Sequence, residues 1–287
     1  MVKTRNCKFF STLDINSAFW SIPLKVEDRK KTAFVTQENH FQWTCLPFGL
    51  KTSPAIFQRI LTSIIRKHKL SDFTVNFIDD ILVFSRTFTE HINHLSILLE
   101  ALSKEGFRLK LSKCNFAQDS VKYLGHIIKN NTVTSLKDNL IAIKDFPVPK
   151  TKKNIRQFLV KINFYGKYIP NVSIILDPLH NLLKKDQKFN WTENCQESFD
   201  TIKKLLCFKP ILEIFDPDLA IHIYTDASIQ GIGAILKQPQ ENGDEKPCAY
   251  FSRKLNDSQK RKKAIYLECL AIKEAEKNLK YFQTTNL

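Results

Sequence analysis

Phe73-Thr-Val-Asn-Phe-Ile-Asp-Asp-Ile-Leu-Val-Phe84 is an apolar run with two adjacent acids in its middle. Val, Ile and Phe fill both faces of this run, and so short a run rich in them reads as β rather than α. Asp79 and Asp80 interrupt it and predict a tight turn. The expected object is a buried two-stranded hairpin with two acids at its tip. Carboxylates set against a hydrophobic sheet are costly unless something neutralises them. A divalent cation does so, and hard oxygen ligands suit Mg2+. Working outward, Phe9 to Asp14 reads as a second strand that ends in an acid. If the two strands are sheet neighbours, Asp14 and Asp79 come within reach of shared cations. Successive residues of a strand face opposite sides, so Asp14 and Asp79 are expected as the main ligands and Asp80 as an auxiliary acid. Two metals held in this way would activate an attacking hydroxyl and stabilise the leaving oxygen of an in-line phosphoryl displacement.

Around this centre, Lys31–Thr36 and His40–Leu46 alternate like hairpin strands. Ser53 is the expected cap of a helix with Pro54 at its first position, carrying Phe57, Ile60, Leu61, Ile64 and His68 on one side. A second helix is expected from Thr89, with Ile92, Leu95, Leu99 and Leu102 inward and Gly106 ending it. A strand pair should lie between Phe107 and Ile128. This order predicts an α+β domain, helices on one face of an antiparallel sheet. The character changes near Asn130, and from Leu136 to about Leu206 helical patterns dominate, broken at Pro147-Val-Pro149. After the break, Ile155, Phe158, Leu159, Ile162, Gly166 and Ile169 form an apolar stripe flanked by Lys152, Lys153, Arg156, Lys161 and Lys167. Such a basic amphipathic helix suits tracking of a nucleic-acid backbone or a plain solvated face.

Strands return after Ile211, over 220–226, 231–237 and 248–253, and a long helix is expected from about Lys260 to Phe282. On it Ile265, Glu268, Ile272, Ala275 and Leu279 recur at helical spacing, which places Glu268 toward the core. An unpartnered acid there is unfavourable, and Asp226 at the end of the first strand is the expected partner in a second metal site. The division expected is 1–129, 130–210 and 211–287.

The chain has 287 residues and a formal net charge of +15, an excess that favours polyanion partners. No stretch reaches the roughly 18 apolar residues of a bilayer span, and the N-terminus has no apolar signal core. A soluble intracellular protein of cytoplasm or nucleus, without membrane contact, is expected. The seven Cys are odd in number and scattered, with no Cys-x-x-Cys pair, so neither a zinc site nor a disulfide framework is indicated. Nothing in the pattern fixes an oligomeric state.

Phe10-Ser-Thr-Leu-Asp-Ile-Asn-Ser-Ala-Phe-Trp20, Lys31-Thr-Ala-Phe34, Leu46-Pro-Phe-Gly-Leu50, Ser53-Pro-Ala-Ile-Phe-Gln58, Phe77-Ile-Asp-Asp-Ile-Leu-Val-Phe-Ser85, Lys113-Cys-Asn-Phe116 and Tyr123-Leu-Gly-His126 follow one another. In that order they resemble the reverse transcriptase of gypsy-type LTR retrotransposons. Trp191-Thr-Glu, Tyr224-Thr-Asp-Ala-Ser228, Gly231-Ile-Gly-Ala-Ile-Leu236, Ala249-Tyr-Phe-Ser-Arg253 and Glu268-Cys-Leu-Ala-Ile272 resemble the ribonuclease H domain that follows it in the same polyprotein. The resemblance implies a polymerase palm, a helical thumb or connection, and a truncated α/β ribonuclease H-like domain. It implies Asp14, Asp79 and Asp80 as polymerase carboxylates, and Asp226 and Glu268 as ribonuclease H ligands, each set with Mg2+. Phe19 matches the aromatic residue that excludes a 2′-hydroxyl, and Phe48 and Gln58 match positions beside the incoming nucleotide and template. Leu124, Gly125 and His126 match the primer grip. The implied partners are an RNA template, a DNA primer, RNA–DNA hybrid and deoxynucleoside triphosphates. Ala18 and Ser21 stand where the family usually has Gly and Gln. Most of the fingers and the next ribonuclease H acid fall outside the chain, so ribonuclease H activity is expected to be absent or crippled. The alternative is an inactive or repurposed piece that only binds nucleic acid.

Overall fold

The computed structural model describes residues 2–185, 187–207, 212–240 and 242–279, and only the backbone at 137–139, 167 and 207. The chain divides into two compact units, Asn6–Tyr123 and Leu124–Leu287 with Met1–Arg5. The helical stretch after Asn130 and the strands that follow therefore fall in one unit.

In the first unit the order is β1 (Phe9–Asp14), α1 (Val26–Arg29), β2 (Phe34–Val35), β3 (His40–Phe41), α2 (Ser53–Lys67), β4 (Thr74–Phe77), β5 (Asp80–Ser85), α3 (Phe88–Lys104), β6 (Asn115–Gln118) and β7 (Val121–Tyr123). Four strands form a sheet in the order β4-β5-β1-β6. Ile81 to Ser85 are all buried, as the two-faced apolar run requires. Leu13, Ile81 and Val83 pack with Phe57 and Leu61 of α2 and with Leu95, Leu98 and Leu102 of α3. Both helices thus share one core with the sheet, the layered arrangement expected for an α+β domain.

Two helix details differ from expectation. The N-cap of α3 is Thr87, which accepts from the Glu90 amide while the Glu90 side chain takes the Thr87 amide, a reciprocal capping box. Its buried face is His91, Leu95, Leu98, Ala101 and Leu102, whereas Ile92 and Leu99 are 49% and 38% exposed. Three apolar residues in a row, Ile97-Leu98-Leu99, leave the phase open to the sequence, and the sheet settles it. On α2 the cap is Thr52 rather than Ser53, and the buried Ser53 hydroxyl donates to the Pro47 carbonyl at 2.8 Å.

In the second unit β8 (His126–Lys129) pairs with β9 (Thr132–Ser135). Helices α4 (Lys137–Lys144), α5 (Lys152–Tyr165), α6 (Val172–Ile175), α7 (Asp177–Asn181) and α8 (Glu193–Cys207) follow. Strand β10 (Leu212–Glu213) returns to pair with β9. Then β11 (His222–Ala227), β12 (Gly231–Pro239) and β13 (Glu245–Lys254) form a three-stranded antiparallel sheet, followed by α9 (Asp257–Lys260) and α10 (Ala264–Leu279). The expected end of the last helix at Phe282 lies outside the described residues, as does Ile211. The α5 stripe is buried as expected at Ile155, Phe158, Leu159 and Ile162. On α10 the buried residues are Leu267, Ala271, Ala275 and Leu279, while Ile265 and Ile272 are 71% and 58% exposed. Glu268 therefore sits half-buried at the edge of that face, not in its middle. No helix among the described residues is long and apolar enough to cross a membrane.

The phase of α3 is directly testable. Leu98→Ala should cost about 2–5 kcal/mol in denaturant unfolding, while its neighbour Leu99→Ala should cost roughly 1 kcal/mol or less.

Candidate catalytic carboxylate site

Strands β1 and β5 are antiparallel neighbours, and Asp14 stands opposite Asp80. Phe77 pairs with Asp80, which leaves Ile78 and Asp79 as a two-residue turn. Ile78 has φ 55°, a left-handed conformation that a β-branched residue adopts only when its surroundings enforce it. Gln58 of α2 supplies that enforcement. The Ile78 amide donates to Gln58 Oε1 at 2.5 Å, and Gln58 Nε2 donates to Thr62 Oγ1 at 3.1 Å and to the Asn76 carbonyl at 3.4 Å. From the other side the Ile15 amide donates to the Asp79 carbonyl at 3.3 Å. The acidic tip is thus clasped between α2 and the end of β1.

The charges at this tip are crowded. The carboxyl of Asp80 titrates above its ordinary range, first because partial burial disfavours its charge, then because Asp79 and Asp14 repel it; Lys113 pulls it back. Asp80 remains exposed as a residue, so the three-acid field matters alongside desolvation. Lys113 Nζ donates to Asp14 Oδ2 at 3.1 Å. That bond first, then the charges of Asp14, Asp79 and Asp80, holds the Lys113 ammonium more tightly protonated than usual. Among the described residues no three His, Cys, Asp or Glu side chains converge closely enough to ligate one ion by themselves. A cation here would draw further ligands from a bound phosphate. The donor set still fits a hard divalent ion: oxygen only, net negative, and already holding one ammonium as a stand-in cation.

Phe19 is half-buried with its ring edge-on to Phe48 at 5.1 Å and to the core residue Phe57 at 5.7 Å. Phe48 is 61% exposed and also meets Trp20 at 5.6 Å. In the second unit Leu124 and Gly125 both have positive φ, 47° and 77°. A Cβ on Gly125 would lie 2.9 Å from Phe164 Cζ, so glycine is required twice over. The His126 ring stacks on Phe164 at 4.9 Å, and its Nδ1 bonds the Tyr168 hydroxyl at 2.9 Å. The Leu124-Gly125-His126 segment is therefore anchored on the end of α5 and the turn after it.

Asp226 pairs with Gly233 across β11 and β12. It lines a cleft with Pro170, Asn171, Tyr224 and Tyr250, and Glu268 is not part of that lining. Ile221 and Ile223 pack into the core that holds Ala275 and Leu279, and Ala227 packs with Leu267 and Ala271. By strand alternation Asp226 faces away from α10. The structure brings Asp14, Asp79 and Asp80 together at one sheet end.

Two residues gain roles that the residue pattern alone did not give them. Lys113 is 99 positions from Asp14, a distance over which only a shared sheet reveals the pair; its place just before a strand was the available signal. Gln58 braces the acidic turn directly.

Residues 1–128 match the model "Reverse transcriptase (RNA-dependent DNA polymerase)" and residues 191–286 match "RNase H-like domain found in reverse transcriptase". The retrovirus-related Pol polyprotein from transposon 297 of Drosophila melanogaster is 35% identical over 285 residues, covering 98% of this chain and 26% of the relative. The transposon Tf2-3 polyprotein of Schizosaccharomyces pombe is 32% identical over 282 residues, covering 98% of this chain and 21% of the relative. The chain thus spans 26% and 21% of the lengths of these two curated relatives. Among solved structures, foamy viral protease-reverse transcriptase in complex with RNA/DNA hybrid superposes with TM-score 0.84 at 23% identity, over 97% of this chain and 38% of that one. The same protein in complex with dsDNA gives TM-score 0.84 at 23% identity, over 96% and 57%. The structural likeness speaks for the fold, and the sequence matches for the lineage. The chain belongs to the reverse transcriptase family of retrotransposon Pol polyproteins, with that family's polymerase region and an RNase H-like region.

Proposed function

We propose that this chain acts as the polymerase region of a gypsy-type element, adding deoxynucleotides to a DNA primer 3′-hydroxyl on an RNA or DNA template. The observation that carries this reading is the carboxylate cluster at the β4–β5 tip, with Asp14 opposite Asp80 and the Ile15 amide bonded to Asp79. Asp14 and Asp79 would hold Mg2+, with Asp80 assisting; the ions, when bound, would lower the charge of the incoming triphosphate and activate the primer hydroxyl. The chain's own residues do the rest. Lys113 keeps Asp14 compensated until a cation or substrate replaces it. Gln58 fixes the turn that aims Asp79. Phe19, braced on Phe57 and Phe48, offers a rigid wall where a sugar bearing a 2′-hydroxyl would be excluded. Leu124, Gly125 and His126 would hold the primer end. A net charge of +15 supports phosphate-backbone binding, in keeping with the nucleic-acid complexes of the foamy viral relative. Deoxynucleoside triphosphates are the proposed substrates, in the cytoplasm or nucleus.

Binding without catalysis is a second reading, favoured by Lys113 occupying Asp14. Asp226 and Glu268 are the proposed ribonuclease H acids, and RNA cleavage by this chain is expected to be absent or crippled. Digestion of an RNA–DNA hybrid that vanishes in Glu268→Gln would contradict this.

The principal test is primer extension on a homopolymer template with Mg2+. Asp79→Asn should lower the rate on the order of 10³-fold, since several kcal/mol of charge stabilisation depends on the site. Salt-sensitive binding with no extension in the parent chain would support the binder instead. Gln58→Leu should cost roughly 1–3 kcal/mol in unfolding by orphaning the Ile78 amide, and should slow extension. Asp80 has a folded value above its unfolded one. The stability from its proton is present below the ordinary 3.8 and is lost as pH rises through the folded value. Without divalent ions, Asp80→Asn should therefore melt above the parent at neutral pH, and the gap should close as the pH falls below 3.8.

A further inference from the structure

Behind the acidic tip lies a polar chain sealed inside the apolar core. His91 of α3 is fully buried, as are Ser11 of β1 and Ser85 of β5. His91 Nε2 meets Ser11 Oγ at 2.7 Å and His91 Nδ1 meets Ser85 Oγ at 2.9 Å. Ser85 Oγ also meets His94 Nδ1 at 2.8 Å, and His94 Nε2 lies 3.8 Å from a Glu90 carboxylate oxygen. Ser11 Oγ accepts the Ala117 amide of β6 at 2.9 Å. That bond falls where the pairing of β1 with β6 slips register, at a residue with φ 48°. The Ser11 hydroxyl thus patches a break in the ladder.

Each hydroxyl has one proton and each neutral imidazole has one, which leaves two ways to wire the chain. If Ser11 donates to His91 Nε2, then His91 Nδ1–H donates to Ser85, Ser85 donates to His94 Nδ1, and His94 Nε2–H faces Glu90. Every buried group is satisfied. In the reverse wiring the Ser11 proton has no acceptor among the described bonds, and a bare His94 nitrogen faces a carboxylate. A buried orphan donor is costly, so the first direction wins.

We propose that His91 is a positioning residue for the carboxylate site: as the neutral Nδ1–H tautomer it closes a one-way chain Ser11→His91→Ser85→His94 that locks β1, β5 and β6 together, and uptake of a proton breaks it. The locked strands are those that carry Asp14 and Asp80 and that follow Lys113, so the relevance to catalysis rests on the polymerase reading. A proton on Nε2 would set N–H against the Ser11 O–H. Ser11 would have to turn its hydrogen away, with no acceptor for it among the described residues. The titratable and charged neighbours are Glu90 and His94 on α3, with Arg86 beyond Glu90. The strands face His91 with the Ser11 and Ser85 hydroxyls and the Phe9 ring at 6.3 Å. Phe73 stacks on His94 at 3.9 Å and keeps that ring in plane with the chain. Burial first, then His94, depresses the His91 value, against a smaller opposing pull from Glu90.

The test uses the whole chain. Long-range proton–nitrogen NMR on histidine-labelled protein at neutral pH should show His91 protonated at Nδ1 and bare at Nε2, and His94 protonated at Nε2. A His91 Nε2–H tautomer or a charged His91 would overturn the proposal. Unfolding of the parent and of His91→Gln is then compared across pH. A depressed folded value means its stabilisation is present above the ordinary 6.5 and fades as pH falls below it. The ratio of the two unfolding constants should change by up to about tenfold per pH unit over that window. Taking the ratio removes the similar contribution of His180, also depressed by burial. A flat ratio would overturn the switch. Should His91→Gln fail to fold, the tautomer reading on the parent chain decides alone. If the tautomers are as stated but no primer extension occurs, the polymerase reading fails and the lock stands.

Discussion

Backbone pairing forces three carboxylates into one another's fields, and the rest of the first unit answers to that constraint. Asp14 and Asp80 are register partners, so they cannot move apart without opening the β1–β5 ladder. That ladder is held shut by a strand buried on both faces. The repulsion is therefore trapped, and it adds to partial burial, the larger cause, in raising the Asp80 carboxyl. Positive charge relieves it while the fold stays intact. Lys113 supplies one such charge from the segment before β6, and a hard divalent ion would supply more. A site that repels itself until a cation arrives is suited to binding one reversibly together with a substrate phosphate.

Holding such a tip in place takes bracing from several directions. Gln58 meets it from α2 and the Ile15 amide from β1, while the His91 chain ties the same strands from behind. The left-handed Ile78 is the visible strain, of the kind that persists only where its neighbours over-determine it. In the second unit the same logic recurs at Leu124-Gly125, where two positive φ angles coincide with a ring packed so closely that no side chain fits on Gly125.

Much of this was legible in the amino acids because it is local. The hairpin followed from a two-faced apolar run broken by two acids, and β1 from an apolar strand closed by Asp14. What was not legible depends on phase or on distance. The apolar runs at Ile97-Leu98-Leu99 and around Ile265 to Ile272 fit more than one helical face, and only packing against a sheet chose between them. Thr132-Val-Thr-Ser135 has too little hydrophobicity to announce a strand, yet it pairs with both β8 and β10. His91 looks like an ordinary polar residue near a helix start; its burial is allowed only because Ser11 and Ser85 arrive from 80 and 6 positions away. Asp226 and Glu268 were joined by resemblance and by a helical phase that the packing moved. Packing puts Glu268 at the edge of the buried face of α10 rather than in its middle.

If Asp14, Asp79 and Asp80 act as one cation site, single charge changes among them must alter cation affinity. Mn2+ titration of the full chain, followed by electron paramagnetic resonance, should show binding that is lost in Asp14→Asn and in Asp79→Asn. It should become tighter in Lys113→Met, where the competing ammonium is gone. Equal affinity in the parent and both Asp variants would contradict the account, because the three acids would then not act as one site.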